Sequence, residues 1–252
     1  MPFTFSHPAL VLAFRYLPNR FYSLTGLIIG SMTPDFEYFL RMNVGSIYSH
    51  TFWGIFYFDL PVGIALCFIF HNVVRDHLVD HLPVWLRERF WDLKAFNWNS
   101  FFKSSWIIVF ISIIIGATSH ILWDDFTHPL GYFVMRSIFL RHKIAIVGFQ
   151  IPLYNIFQGI SSLLGGVIVC IFIWCLAKTK IKFMQKKDFY WLFVIVIMIL
   201  IMIVRFLYGL TIAKYGNVIV SIISAFFIAI ILSPLFLSKK ESPERSGNLK
   251  MD

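Results

Sequence analysis

The sequence predicts an all-α integral membrane protein: about five transmembrane helices preceded by N-terminal interfacial or re-entrant half-helices. Three observations predict it. Hydrophobic residues make up 58% of the 252 residues and charged residues only 14%, against roughly 45–50% and about 25% in soluble domains. Mean hydropathy is +0.75. Five stretches, near 53–73, 106–122, 156–177, 189–208 and 217–237, approach the about 20 mostly apolar residues that a crossing needs.

Taken in order, the first 52 residues differ from the rest. "ALVLAFRYL" and "SLTGLIIG" are apolar but too short to span, so they read as half-buried helices on one face. Ser6–His7–Pro8 reads as a helix start, Asp35 after Pro34 as a first-turn residue, and Ser49 as the cap that opens the first span. After that span comes "HNVVRDHLVDH", with His71, His77 and His81 alternating with Asp76 and Asp80. Arg75, Arg87 and Arg89 lie close by, so this stretch reads as a solvated helix face meeting anionic headgroups. The second span should stop near Pro129, because the residue before proline disfavours the α region. Ser161, Ser162, Gly165 and Gly166 in the third span favour close helix contact, within the chain or between copies in an oligomer. Arg205 in the fourth span reads either as a snorkelling side chain or as a ligand for an anion. Residues 1–237 form a single membrane domain, and the polar stretch 238–252 reads as a disordered tail. Cys67, Cys170 and Cys175 lie inside apolar runs without metal-ligand spacing and read as small buried hydrophobes.

The N-terminus lacks the basic region and small-residue cleavage site of a signal peptide, so the first span is expected to act as its own signal. Five spans put the termini on opposite sides. Fourteen Lys and Arg fall in 74–105, 178–188 and the tail, and seven fall on the other side. The positive-inside rule then predicts a cytoplasmic C-terminus and an external N-terminus in a bacterial inner membrane. The net charge of +9 thus reads as an orientation signal, and nucleic acid is not an expected partner.

That topology gathers the chemistry-bearing residues on one face: His7, Asp35, Glu37, His50, His120, Asp124, Asp125 and His128. On a continuing helix, His120, Asp124 and His128 at i, i+4 and i+8 share one side. A His-x-x-x-Asp pair offers an imidazole and a carboxylate to one ion, a set suited to zinc, manganese or iron. Taken singly, each residue also has an ordinary reading as an interfacial anchor or helix cap; their joint placement is what points to a site. Asp35 or Glu37 could accept a proton from water. Asp125, His128 and His142 are candidates for an outer shell or a second ion. Arg136, Arg141 and Lys143 are candidates to bind phosphate oxygens. Trp123 and Tyr132 stand at headgroup level, where they could flank an acyl or isoprenyl chain.

The motifs "MPFTFSHPA", "GSMTPDFEYF", "SHTFWGIFYFDLPVG", "GATSHILWDDFTHPLG" and "PLYNIFQGISSLLGG" together resemble a bacterial multi-pass membrane family of unknown function, over residues 1 to about 166. Their order is more remotely similar to LexA-regulated membrane-bound metal-dependent hydrolases and to zinc-dependent phospholipase C. This resemblance implies His7, Asp35, His50, His120 and Asp124 as ligands for one or two ions, zinc first and manganese as the alternative. It also implies hydrolysis of a lipid-linked phosphoester or pyrophosphate at the outer face, with membrane lipids as partners. Two other readings stay open: binding or transport of an ion or small solute without hydrolysis, and a structural protein whose histidines only pack.

Overall fold

The computed structural model describes residues 3–180 and 189–236; the tail expected over 238–252 lies outside them. Proline and glycine punctuate the N-terminal segment into short pieces: α1 (Pro8–Val11), α2 (Leu24–Gly30) and α3 (Thr33–Arg41). Pro8 opens α1, and Ser23 caps α2 by accepting a hydrogen bond from the Gly26 N–H at 3.1 Å. Asp35 sits in the first turn of α3 behind Pro34, as expected. Met42 ends α3 in the left-handed region, with φ of 49°.

Five helices among the described residues are long and apolar enough to cross a membrane. The first, Ile55–His81, contains α4 (Leu60–Ile69) and α5 (Arg75–His81) joined through π turns at Ile55–Asp59 and Phe70–Val74. It outruns the expected end at residue 73 because the polar His71–His81 stretch stays helical. Ser49 does not cap it: residues 46–53 are irregular and Gly54 precedes the first turn. After α6 (Val84–Phe90) comes α7 (Trp98–Thr127), capped by Asn97 and kinked at Ser105. The kink falls where the apolar span was expected to begin. His128 then takes the extended conformation (φ −104°, ψ 145°) that a residue before proline prefers.

The short helices α8 (Tyr132–Arg136) and α9 (Ile138–Arg141) lead into a feature the all-α expectation omitted, an antiparallel hairpin of β1 (Lys143–Ile146) and β2 (Phe149–Pro152). Val147 and Gly148 turn it with positive φ at both positions, the two-residue loop that matches strand twist. The remaining spans are α10 (Leu153–Trp174), α11 (Tyr190–Leu207) and α12 (Tyr215–Leu232). Their outward faces carry exposed Leu, Ile and Val, such as Leu163 and Ile199, which suit a hydrocarbon solvent.

The half-helices do not merely lie on a face. α2 packs against the middle of α7, backbone to backbone. A Cβ on Gly30 would stand 2.3 Å from the Ile113 carbonyl oxygen, and one on Gly116 would stand 2.5 Å from that of Leu27. α3 packs on α12 through Tyr38, Phe39 and Val220. Arg205, in the fourth span, meets the end of α3. Its Nη2 donates to the Met42 carbonyl at 2.8 Å, neutralising the C-terminal end of α3. The small-residue stripe of α10 takes the N-terminal segment rather than another span. Ser6 Oγ donates to the Ser162 carbonyl at 2.7 Å, and a Cβ on Gly165 would meet the Ser6 carbonyl oxygen at 2.7 Å.

Candidate metal centre

Packing α2 against α7 brings the loop before α1, the first turn of α3, the loop before the first span and the C-terminal end of α7 to one point. Asp124 stands at the centre of what converges there. Its Oδ1 lies 3.6 Å from His7 Nε2, and its Oδ2 lies 3.6 Å from His50 Nε2 and 3.5 Å from His120 Nε2. Asp35 Oδ1 stands 3.6 Å from His50 Nε2 and 3.7 Å from His120 Nε2. Two overlapping triads result, His7–Asp35–His120 and His50–His120–Asp124, with the ligand atoms of each within 4.8 Å of one another.

These separations are informative. A direct N–H···O bond spans about 2.7–3.2 Å, whereas two atoms ligating one tetrahedral ion at ~2.0–2.1 Å sit about 3.3–3.4 Å apart. The measured spacings lie nearer the second figure. Accordingly, both nitrogens of His7, the Nε2 atoms of His50 and His120, and both oxygens of Asp124 are buried without a hydrogen-bond partner. Orphaned polar atoms normally cost about 1–3 kcal/mol each, so the Nε2 atoms of His7, His50 and His120 gathered around the Asp124 carboxylate fit a cation between them.

The surroundings orient the set. His120 is fully buried and its Nδ1 lies 2.7 Å from the Ser31 carbonyl oxygen. A carbonyl only accepts, so Nδ1 donates this bond and Nε2 is the ring atom turned to the cluster, the usual support for a ligating histidine. The His7 ring stacks on that of His120 at 3.6 Å. Burial, the largest cause, lowers the pKa of His7 to about 2. Thr4 Oγ1 donates to Asp35 Oδ2, fixing the carboxylate, whose pKa burial raises.

Glu37 does not hold the place of a proton acceptor. Its Oε1 accepts from the Ile47 N–H at 2.7 Å, and its Oε2 accepts from those of Tyr48 and Ser49 at 2.9 Å each. Arg41 Nη1 adds a contact at 3.1 Å. Glu37 therefore shapes the loop that presents His50. Burial pushes its pKa up, but the N–H groups of Ser49, Tyr48 and Ile47 outweigh this and hold it at about 2. The folded carboxyl thus titrates below the unfolded ~4.3, so its stabilisation is present above pH ~4.3 and disappears as pH falls towards 2. Glu37→Gln is expected to cost about 1.5–3 kcal/mol at neutral pH. The gap in melting temperature between wild type and variant should close below pH 4.

Other expected residues stand apart. Asp125 Oδ1 accepts from the Tyr132 N–H at 2.9 Å and fixes the turn after α7 instead. His128 leaves the helix, yet its Nδ1 reaches Asp124 Oδ2 at 3.2 Å, beside the cluster and outside both triads. His142, Arg141 and Lys143 are exposed at the hairpin. Arg136 is also exposed and lies over the Tyr132 ring at 3.8 Å. Among the described residues, none of these four has a bond to the cluster, because α8, α9 and the hairpin lead the chain away from it. Asp59 was missed. It is fully buried in a π turn packed on α7 and α3, with neither oxygen hydrogen-bonded. The signal was legible, a lone acid inside an apolar span.

His50 and His128 are the partly exposed members of the group, their side chains 15% and 21% exposed. His7 also lines a cavity of about 340 Å³, together with Leu10, Trp123, Phe157, Leu164 and Ile168. A family model described as a domain of unknown function, DUF4184, matches residues 1–235. No curated protein and no solved structure matches the chain.

Proposed function

The chain belongs to the DUF4184 family, and from its site we propose a membrane-embedded, metal-dependent hydrolase of a lipid-linked phosphoester or pyrophosphate. One observation carries the reading: imidazoles and carboxylates from four separate segments face one another at spacings that suit a shared ion, with the Nε2 atoms of His7, His50 and His120 and both Asp124 oxygens unpartnered. His7, Asp35, His50, His120 and Asp124 would hold one or two ions, zinc by the mixture of nitrogen and oxygen donors. Bound there, a divalent ion would supply Lewis acidity and hydroxide near neutral pH.

The chain's own residues do the rest. His120, fixed by Ser31, and Asp35, fixed by Thr4, keep the donor atoms aimed inward. The partly exposed side at His50 and His128 admits a polar headgroup, and the apolar cavity beside His7 receives hydrocarbon, so the favoured substrate is amphipathic. The unpartnered carboxylate of Asp59 is the group assigned to hold a proton. The Lys and Arg excess at the opposite ends of the spans supports an outer-face site in a bacterial inner membrane.

The test uses full-length protein purified without chelator and reconstituted with phospholipids and isoprenyl pyrophosphates. Stoichiometric zinc and release of water-soluble phosphate or headgroup are expected. Asp59→Asn should keep the metal and lose at least ~100-fold in turnover, the scale of a general acid–base contribution. Stoichiometric metal without turnover of any such lipid would favour ion binding or transport instead. Protein that holds no metal and is indifferent to added zinc would sink the reading.

A further inference from the structure

We propose a second ligand site at the other end of the first two spans, a pocket for a phosphate group. It is independent of the metal reading. The cavity, about 270 Å³, is lined by His71, Asn72, Arg75, Lys94, Trp98 and Asn99, among others. Trp98, which lines this pocket, and Asp124 of the metal cluster stand at opposite ends of α7, a segment long and apolar enough to cross a membrane.

Donors dominate this pocket. The two side chains with fixed charge that line it, Arg75 and Lys94, are both cationic. Arg75 is more than nine-tenths buried. Its Nη1 donates to the Phe96 carbonyl at 2.7 Å and lies 3.3 Å from His71 Nδ1, and its Nε reaches Asp76 at 2.7 Å. These bonds fix the guanidinium and leave Nη2 out. Lys94 Nζ lies 2.5 Å from Asp80 Oδ1. Neither Asp76 nor Asp80 is among the residues that line the pocket. Trp98, only 2% exposed, has a buried Nε1–H with no partner. It is held in place by stacking on His71 at 4.6 Å and 6°. His71 Nε2 is in turn engaged by Thr25 Oγ1 at 3.1 Å.

A fixed guanidinium, a lysine and an orphan indole N–H together select a compact anion that accepts several hydrogen bonds. Phosphate is that chemistry. At headgroup depth it can come from an anionic phospholipid or from a free phosphorylated solute.

The experiment measures thermal melting of full-length protein in neutral detergent, with inorganic phosphate in one arm. The other arms use nanodiscs of phosphatidylglycerol or phosphatidylcholine. A shift with phosphatidylglycerol alone assigns the site to a lipid headgroup, and a shift with inorganic phosphate assigns it to a free anion. In either case Lys94→Gln and Trp98→Phe should each weaken the apparent affinity at least fivefold, whereas Lys103→Gln, an exposed lysine near this end, should not. Wild type that responds to neither ligand overturns the proposal. So does a Lys94→Gln protein that folds and responds as wild type does, which keeps the test decisive should Trp98→Phe not fold.

Discussion

Asp124→Ala is expected to abolish stoichiometric metal binding, the largest effect any single substitution in this chain should have. Among the described residues, Asp124 is the one whose two oxygens reach His7, His50, His120 and His128 together. Its loss removes a ligand from one triad and the central anion from both. Losing an outer-sphere partner typically costs 10–100-fold in metal affinity, so loss of this carboxylate should cost more. Elemental analysis of the purified variant reads the result directly. Melting supplies a second readout, because a ligand at ~1,000 times its Kd stabilises a fold by about 4 kcal/mol. Added zinc should therefore raise the melting temperature of wild type and leave Asp124→Ala unmoved. A variant that keeps the metal, or a wild type whose melting ignores both zinc and chelator, would remove Asp124 from the centre.

Gly30→Val is expected to destabilise the protein by about 3 kcal/mol or more, the upper range of overpacking. The obstacle is backbone: the new Cβ would sit 2.3 Å from the Ile113 oxygen and 2.7 Å from its Cα. Neither atom can swing aside as a side-chain tip can, so α2 must move off α7. Ser31 follows Gly30 and its carbonyl accepts the hydrogen bond from His120 Nδ1, so the shift should also release that imidazole and weaken metal binding at a site the substitution never touches. Gly159→Ala is the control. Nothing lies within 4 Å of its Cβ position, and alanine in an exposed helix interior should be neutral or stabilising by about 0.5–1 kcal/mol. A Gly30→Val protein that melts like wild type would refute the close approach.

Hydropathy was enough to read the spans, because burying a helix in hydrocarbon demands about 20 apolar residues whatever their partners. It was weakest at helix ends. His71–His81 remain helical although polar, since backbone hydrogen bonding continues where apolarity stops. The hairpin at 143–152 left no clear trace, because four-residue strands are too short for periodicity to register. Proline placement correctly put Asp35 in a first turn and ended α7 at Thr127.

By itself, the sequence determined that this is a multi-pass helical membrane protein and which of its histidines and acids were worth following. It could not distinguish Glu37, spent on the amides of 47–49, from Asp35, which faces the cluster two residues earlier. Nor could it tell that His142 and the basic residues around it stand outside, while Asp59 is sealed inside. Only the tertiary structure decided those matters. Composition fixes the solvent a segment prefers, but a site requires donor atoms from distant segments to meet within a few ångströms. Here that meeting depends on glycine-to-backbone contacts between α2 and α7, which no one-dimensional pattern records.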